Sequence, residues 1–493
     1  MRVHWVRLGL TLAAVAVMVA QTGGCTPKSV AGSPAAVSNI DTGDAGGLPV
    51  NNDGDSGPRK GVPDADLKVE GTTGSAEDKL ATNAVADLYD YWDSQLPDLF
   101  DEKFTHIQRL VSYDSKGAGV TICGESTAGF VNAFYCGGNG EDAIAWDRGV
   151  LLPGLTKQFG PMSVVGVLAH EMGHAVQFRL GAKSSMSQST PTIVREQQAD
   201  CYMGNFMRWV AEGKSKHFQL NTGKGLNDIL ATVFFIRDPA GLDSKTEGAH
   251  GLAFDRVYAF QEGFRNDPKR CATMDADEID DRIEEKERSK ADEKVGGQVD
   301  PGNKDILGLL QESLDEAFKD NNAEQPKITE NGSKCEQGKS TSPATYCSDE
   351  NIVGIDVDKL RVIAKPPAEG TEPGTKGAGI GDFAAFAEIA SRYSMAIQKQ
   401  MGGSLDDDNA GLRTACLTGA WANFTIDKDP NTQDGKLHLA VGDLDEAMAE
   451  LLQDDSLIAA DINGKQVESG FARVEAFRRG YEKGSSPCTE DFA

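Results

Sequence analysis

The stretch AHEMGHAVQFRLG, residues 169–181, contains a His-Glu-x-x-His motif that begins at His170. Apolar residues recur at helical spacing here and in the residues back to Pro161, which suits a first helical turn. On a helix, His170 and His174 lie one turn apart on the same face, where two imidazoles can bind one zinc ion. Glu171 can reach a water molecule held by that ion. The alternative is a helix with two core histidines that are satisfied by hydrogen bonds.

A second helical segment, REQQADCYMGNFMRWV, provides what a catalytic zinc site still needs. Such a site has a third protein ligand and leaves one position open for water. Glu196, twenty-two residues after His174, can be that ligand. Asp200 lies one turn further on the same helix face and can accept the outer ring N–H of a zinc-bound histidine. The two segments together favour a metal site over a structural pair of histidines.

The runs HEMGHAVQ (170–177) and QADCYMG (198–204) resemble the bacterial neutral zinc metallopeptidase family. The resemblance covers about residues 115–275. It implies a gluzincin-like domain whose site consists of one Zn²⁺ ion, the zinc ligands His170, His174 and Glu196, and the catalytic carboxylate of Glu171. Members of the family often have another histidine where this chain has Ala175, a position that is not a ligand.

The His-Gly pair at residues 250–251 is a further candidate. The resemblance places such a pair ahead of the last helix of the domain, and gluzincins commonly use a distant His or Tyr to hydrogen-bond the oxyanion. His250 is therefore the candidate for this role, and Tyr202 is the second candidate. The alternative is that His250 caps a helix or lies in the core.

The nine cysteines indicate a duplicated sequence. Without Cys25, eight remain, and spacings of 13 and 70 residues in the first half recur as 12 and 72 residues in the second. The surrounding text agrees, since FDRVYAFQEGF at 254 has a counterpart in FARVEAFRRGY at 471. We expect a metallopeptidase domain at 79–275, a charged linker at 276–300 and a degenerate copy at 301–493. The expected disulfides are Cys123–Cys136, Cys201–Cys271, Cys335–Cys347 and Cys416–Cys488.

The second copy lacks the candidate metal and acid–base groups. The residues opposite His170, Glu171, His174, Glu196 and Asp200 are, in that order, Ser391, Arg392, Met395, Gly411 and Ala415. No simple zinc chemistry is available there. Two interpretations remain open. The copy is either a pseudo-enzyme that packs on the first copy and shapes or covers its cleft, or a binding module for a partner protein or cell-wall component.

The run DAIAWDRGVLL has β-branched and aromatic residues in partial alternation, which indicates a strand. In zincin folds an edge strand lies above the active-site helix and pairs with extended substrate. Residues 130–147 are expected to supply this strand, so that main-chain pairing holds a peptide or protein substrate. The Cys123–Cys136 disulfide would then brace the rim of the cleft.

Residues 1–24 have the features of an export signal, because two arginines precede the short apolar run LGLTLAAVAVMVA. Small residues before Cys25 resemble a bacterial lipoprotein signal, although Thr22 replaces the usual aliphatic residue. We expect Cys25 to be lipidated and to anchor the exported chain in the cell membrane, on the extracytoplasmic side. Ordinary secretion is the alternative. Residues 25–78 are rich in Gly, Ser, Asp and Pro and are expected to form a flexible tether.

The sequence thus predicts an α+β protein with two tandem zincin-like domains, mainly helical, with a small edge-strand sheet and disulfide bonds. Its formal net charge of −27 repels phosphate backbones, which argues against nucleic acid as a partner. The predicted function is that of an exported zinc-dependent endopeptidase with Glu171 as the general base. The alternative is a non-catalytic lipoprotein binding scaffold whose zinc site is vestigial or structural.

Overall fold

The structure of the chain is a computed structural model. It describes residues 41–138, 140–187, 189–237, 250–282, 299–321, 324–366, 379–425, 436–440 and 442–492. The predicted signal peptide, Cys25 and most of the predicted linker (283–298) lie outside the described residues. None of the helices in the described ranges combines the length and the hydropathy that a membrane span requires.

Helices make up most of the regular structure of the described residues. They are α1 (Ala76–Phe100), α2 (Leu151–Phe159), α3 (Pro161–Leu180), α4 (Thr192–Ala211), α5 (Lys224–Phe235), α6 (Ala253–Arg265), α7 (Pro268–Ala272), α8 (Ala276–Arg282), α9 (Lys304–Ala317), α10 (Val357–Ile363), α11 (Asp382–Gln400), α12 (Ala410–Phe424), α13 (Asp443–Leu451), α14 (Gly470–Lys483) and α15 (Pro487–Glu490). Short 3₁₀ helices lie at Gly181–Ser184 and Lys319–Asn321.

The strands are short and form several small sheets. They are β1 (Asp44–Ala45), β2 (Leu48–Pro49), β3 (Gly57–Pro58), β4 (Val69–Glu70), β5 (Arg109–Tyr113), β6 (Thr121–Ile122), β7 (Glu125–Ser126), β8 (Ala133–Gly138), β9 (Glu141–Asp147), β10 (Phe218–Gln219), β11 (Lys327–Glu330), β12 (Ala344–Cys347) and β13 (Ile352–Ile355). The prediction of a mixed helix-and-sheet fold is confirmed.

The sheet of the first half has four strands in the order β4-β5-β9-β8. β4, β5 and β9 run parallel, whereas β8 pairs antiparallel with β9 and forms one edge. β8 also packs along α3. An edge strand therefore lies within residues 130–147, as predicted, next to the helix that carries the His-Glu-x-x-His motif. The disulfide Cys123–Cys136 joins β8 to the turn between β6 and β7.

Glycines allow the central helices to approach closely. A Cβ atom on Gly173 of α3 would lie 2.9 Å from the Cα atom of Ala199 on α4. On the other side of α4, a Cβ atom on Gly204 would lie 2.1 Å from the carbonyl oxygen of Phe260 on α6. No side chain fits at either distance, because heavy atoms do not approach so closely. Glycine at these two positions therefore lets α3, α4 and α6 pack in contact.

The described elements of the second half follow the same order as those of the first. α9, three strands and α10–α15 correspond to α1, three strands and α2–α7. β11 pairs parallel with β13, and β12 pairs antiparallel with β13, as β5 and β8 do with β9. Gly419 on α12 meets the carbonyl oxygen of Phe477 on α14, as Gly204 meets Phe260.

All four predicted disulfides are present. Each half contains one short and one long bridge, at corresponding places: Cys123–Cys136 and Cys335–Cys347, and Cys201–Cys271 and Cys416–Cys488. The long bridges join α4 to α7 and α12 to α15. The prediction from cysteine spacing is therefore confirmed.

The two halves pack against each other through α5 and α6 of the first and α13 and α14 of the second. Phe254 meets Tyr481 with ring centroids 5.2 Å apart, and Phe264 meets Phe471 at 5.4 Å. Phe254 is the sequence counterpart of Phe471, and Phe264 is that of Tyr481. The two contacts are therefore exchanged when the halves are exchanged, which is the geometry of a two-fold symmetric interface.

The prediction of a flexible tether over 25–78 is wrong for residues 41–78. β3 pairs with β10, and β4 joins the main sheet beside β5. Ala45 is buried, and the backbone N–H of Asn51 donates to the hydroxyl of Thr222 at 2.8 Å. Composition misled the prediction, because this segment is held mainly by hydrogen bonds and tight turns rather than by a large apolar surface.

Candidate metal centre

The helix α3 places the two motif histidines as the sequence predicts. It begins at Pro161 and ends before Gly181. Gly160, just before the helix, has a φ of 78°, a positive value that glycine adopts without strain. The imidazole rings of His170 and His174 lie 4.8 Å apart, edge to face. His170 is buried, and His174 is partly buried. One helical turn therefore separates two imidazoles that face the same space.

The helix α4 brings Glu196 into that space. Its Oε2 atom lies 3.1 Å from His170 Nε2, and its Oε1 atom lies 3.4 Å from His174 Nε2. One ligand atom from each of the three residues lies within 4.8 Å of the others. Tetrahedral ligands at about 2.1 Å from a zinc ion lie roughly 3.4 Å from one another. The three predicted zinc ligands thus lie close enough together to share one metal ion.

His170 is oriented by a buried carboxylate and a buried guanidinium. Its Nδ1 atom lies 2.8 Å from Asp200 Oδ1, which leaves Nε2 facing Glu196. Arg256 on α6 donates to both oxygens of Asp200, each at 2.8 Å. Asp200 and Arg256 are completely buried. The predicted role of Asp200 as the outer partner of a ligand histidine matches this geometry.

His174 is oriented by Gln177, one turn further along α3. The Gln177 amide donates to the carbonyl oxygen of Arg195 at 2.6 Å, so its Oε1 atom must act as an acceptor. That oxygen lies 3.0 Å from His174 Nδ1, which therefore carries the proton. The imidazole of His174 is thus also held with its Nε2 atom toward Glu196.

The carboxylates of the site attract positive charge. Burial alone would lower the pKa of His170, but Asp200 and Glu196 outweigh it and raise the pKa to about 10. Burial would raise the pKa of Glu196, yet the two histidines hold it well below its usual range. Two buried carboxylates around two imidazoles therefore favour a cation, either protons or a metal ion that displaces them.

Glu171 lies between the candidate metal ligands and the edge strand. Its Oε2 atom accepts the backbone N–H of Tyr135 in β8 at 2.8 Å. Burial raises the pKa of Glu171 above its ordinary value, and the two neighbouring histidines oppose that rise. The carboxylate is thus held beside the candidate metal ligands rather than among them, and a raised pKa is the property expected of a general base.

The structure separates the two candidates for oxyanion stabilisation. His250 Nε2 lies 3.8 Å from Glu196 Oε2, and its side chain is 42% exposed. It therefore lies at the open side of the site. Tyr202 is completely buried and packs edge-on against Trp92 in the core. Tyr202 follows Glu196 by six residues, which places it about 240° around α4 and away from the cleft. The prediction of Tyr202 as the second candidate for oxyanion stabilisation is therefore wrong.

Sequence reasoning missed two residues of the site, Gln177 and Arg256. A signal existed for Gln177, since it follows His174 by three residues and therefore shares its helix face. Arg256 had a weaker signal, as part of a run that recurs around Arg473 in the second half. The recurrence of this arginine has a cause outside the metal site. Arg256 donates to the carbonyl oxygen of Ile236, and Arg473 donates to that of Leu451, each at the end of the preceding helix.

The corresponding place in the second half is filled by protein. Arg392, at the position of Glu171, is fully buried and donates to the carbonyl oxygens of Leu457, Ala460 and Asp461. A Cβ atom on Gly411, at the position of Glu196, would lie 2.6 Å from the carbonyl oxygen of Ala459. The segment before α14 thus covers this region and leaves no room for a metal ion between Gly411 and Ala459.

Comparison with known proteins places the chain near uncharacterized relatives. No family model matches the sequence. Uncharacterized proteins of Mycobacterium bovis and Mycobacterium tuberculosis are 28% identical to it over 181 residues, which is 32% of this chain and 60% of each relative. The chain thus spans less than two thirds of the length of these relatives. No solved structure matches the chain.

Proposed function

We propose that the protein is a zinc-dependent endopeptidase built from two tandem zincin-like domains, of which only the first is catalytic. The observation that carries the proposal is the ligand set His170, His174 and Glu196, whose atoms lie within 4.8 Å of one another. Both imidazoles also have their outer nitrogens committed to fixed partners. Such outer partners are typical of metal-binding histidines, because they fix the tautomer and raise the basicity of the ligand nitrogen.

The residue set fits a catalytic zinc ion better than a structural one. A structural zinc site is normally closed by four protein ligands, whereas a catalytic site has three and leaves a position for water. The metal-ligand group around α3 contains three residues, and Glu171 stands beside them with its carboxylate on Tyr135 N–H. A zinc ion held by His170, His174 and Glu196 would supply a water of lowered pKa, near 7, and would polarise a scissile carbonyl.

The side chains of the chain carry the proton and position the substrate. Glu171 takes the proton of the attacking water and delivers it to the nitrogen of the leaving amine. His250, at the open side of the cleft, donates a hydrogen bond to the oxygen that becomes negative in the transition state. Extended substrate pairs with the free edge of β8, where main-chain hydrogen bonds accept many sequences. The substrate class is therefore a peptide or an unfolded protein segment.

The second half acts as a pseudo-enzyme domain in this proposal. Arg392 and the segment at 457–461 occupy the space that corresponds to the metal site. Its contribution is to cover α5 and α6 of the first half. The proposal also retains export and a lipid anchor on Cys25, which would place the cleft on the extracytoplasmic side of the cell membrane.

Metal analysis combined with cleavage of an unfolded protein tests the proposed function. We expect about one zinc per chain, cleavage of a reduced and alkylated protein, loss of cleavage with a chelator, and recovery when zinc is restored. Bound zinc with no cleavage would favour the non-catalytic lipoprotein scaffold with a structural zinc site. Absence of bound zinc at micromolar zinc concentrations would contradict the proposed enzyme and would favour a scaffold with a vestigial site.

A further inference from the structure

A carboxylate of the second half lies at the start of a helix that supports the metal site. Asp445 on α13 is 97% buried, and its Oδ1 atom accepts the backbone N–H of Phe254 at 3.1 Å. Its Oδ2 atom lies 3.0 Å from Nε of Arg237, which follows α5. A side-chain oxygen at this position caps the exposed amides at the first turn of α6. One residue thus fixes both the start of α6 and the end of α5.

The capped helix leads directly to the metal site. His250 lies four residues before Phe254, and Arg256 lies two residues after it. Arg256 holds both oxygens of Asp200, which orients His170. The contacts therefore form a continuous series from the second half to a ligand imidazole. A small shift at the start of α6 moves the guanidinium that fixes that imidazole.

The first half provides the symmetry-related contact, which caps a helix that does not reach the metal site. Asn227 on α5 accepts the backbone N–H of Gly470, at the start of α14, at 2.7 Å. It also donates to the carbonyl oxygen of Glu468 at 3.0 Å. Asn227 and Asp445 each follow a leucine in their helix and each cap the last long helix of the opposite half. Only the helix capped by Asp445 carries a residue of the candidate metal site.

We propose that Asp445 is a positioning residue for the metal site, so that the second half completes the zinc centre of the first across their interface. The inference rests on the proposed function, since it assigns a role toward the same zinc ion. It gives a role to a buried carboxylate in the half that has Ser391, Met395 and Gly411 at the positions of His170, His174 and Glu196. Asp445 acts through α6 and Arg256 and does not touch the substrate.

The test compares Asp445→Ala with the matched control Asn227→Ala in the full chain. Both variants remove one helix cap at the same interface, and Asp445→Ala is expected to lower the melting temperature more, because it also removes the carboxylate beside Arg237. Zinc affinity, measured by competition with a chromophoric chelator, is expected to fall about tenfold for Asp445→Ala and to stay unchanged for Asn227→Ala. Turnover of zinc-loaded protein is expected to show a lower kcat with little change in KM for Asp445→Ala only.

Further variants keep the test decisive. Asp445→Asn retains an acceptor for the Phe254 N–H and should therefore have most of the wild-type zinc affinity. This variant keeps the inference testable if the alanine variant does not fold. Equal zinc affinity and kcat in Asp445→Ala and wild type, at a lowered melting temperature, would overturn the inference and leave a purely structural cap. Failure of the wild-type protein to bind zinc or to cleave would instead contradict the proposed function.

Discussion

At the scale of single residues, each imidazole of the candidate site has one nitrogen fixed and one available. Asp200 and Arg256 fix His170, and Gln177 fixes His174. The available nitrogens face Glu196 at 3.1 and 3.4 Å. Metal-site histidines need this division, because the outer hydrogen bond selects the tautomer whose lone pair binds the metal.

Replacement of Asp200 tests whether its hydrogen bond to His170 Nδ1 is needed for zinc binding. Asp200→Ala should weaken zinc binding by about ten- to a hundredfold, because His170 loses the acceptor of its Nδ1 proton. It should also destabilise the metal-free protein by roughly 3–5 kcal/mol, since the buried Arg256 guanidinium loses its partner. Chelator competition and urea unfolding measure the two effects. Zinc affinity equal to that of the wild type would show that Asp200 serves only α4 and α6.

Competition between zinc and protons gives a pH dependence. The raised pKa of His170, about 10 in the folded protein, exceeds its unfolded value near 6.5. Its stabilising contribution to the metal-free protein is therefore complete below about pH 6.5 and is lost as pH rises through about 10. Zinc must displace the proton, so the increase in melting temperature on zinc addition should be larger at pH 8 than at pH 6. An equal increase at both pH values would contradict this assignment.

At the scale of elements, the site exists because α3 and α4 are in contact. Gly173, inside the His-Glu-x-x-His motif, faces the backbone of Ala199 at a distance that excludes a side chain. The motif thus supplies both the candidate ligands and the close approach that brings Glu196 to them. The helices were predictable from apolar spacing and from Pro161, whereas this close approach depends on residues 26 apart in sequence.

Separation of the two helices should remove the metal site. Gly173→Val should push α3 from α4, destabilise the protein by about 1–3 kcal/mol and abolish tight zinc binding. Gly308→Ala on α9 is the control, because nothing lies within 4 Å of the added Cβ atom. That change should stabilise the protein by about 0.5–1 kcal/mol and leave zinc binding unchanged. Tight zinc binding by a folded Gly173→Val variant would show that the close approach is unnecessary.

At the scale of the whole molecule, the described part of the chain from residue 41 onward forms one compact unit. The cysteine spacing and the repeated runs predicted the disulfides and the matching elements of the two halves. The packing of residues 41–78 was not predictable, because its contacts join residues far apart, as with Asn51 and Thr222. The link between Asp200 and Arg256 was hidden for the same reason, since 56 residues separate them.

The interface between the halves should hold without the covalent link. A protease site inserted within residues 283–298 and cut after folding should leave the halves associated, because Phe264 and Phe471 remain buried against each other and the two helix caps still join the halves. Gel filtration under reducing and oxidising conditions should show one species of unchanged size, since each disulfide lies within one half. Elution of two separate halves would contradict the packing role of the second half.

The most direct measurement of the central claim is the activity and metal content of Glu171→Gln. Glutamine keeps the size of the side chain and an acceptor for Tyr135 N–H, but it cannot take the proton of the attacking water. We expect about one bound zinc per chain, a melting temperature near that of the wild type and hydrolysis reduced by at least about a thousandfold. Turnover of an unfolded protein at the wild-type rate by this variant would contradict the account.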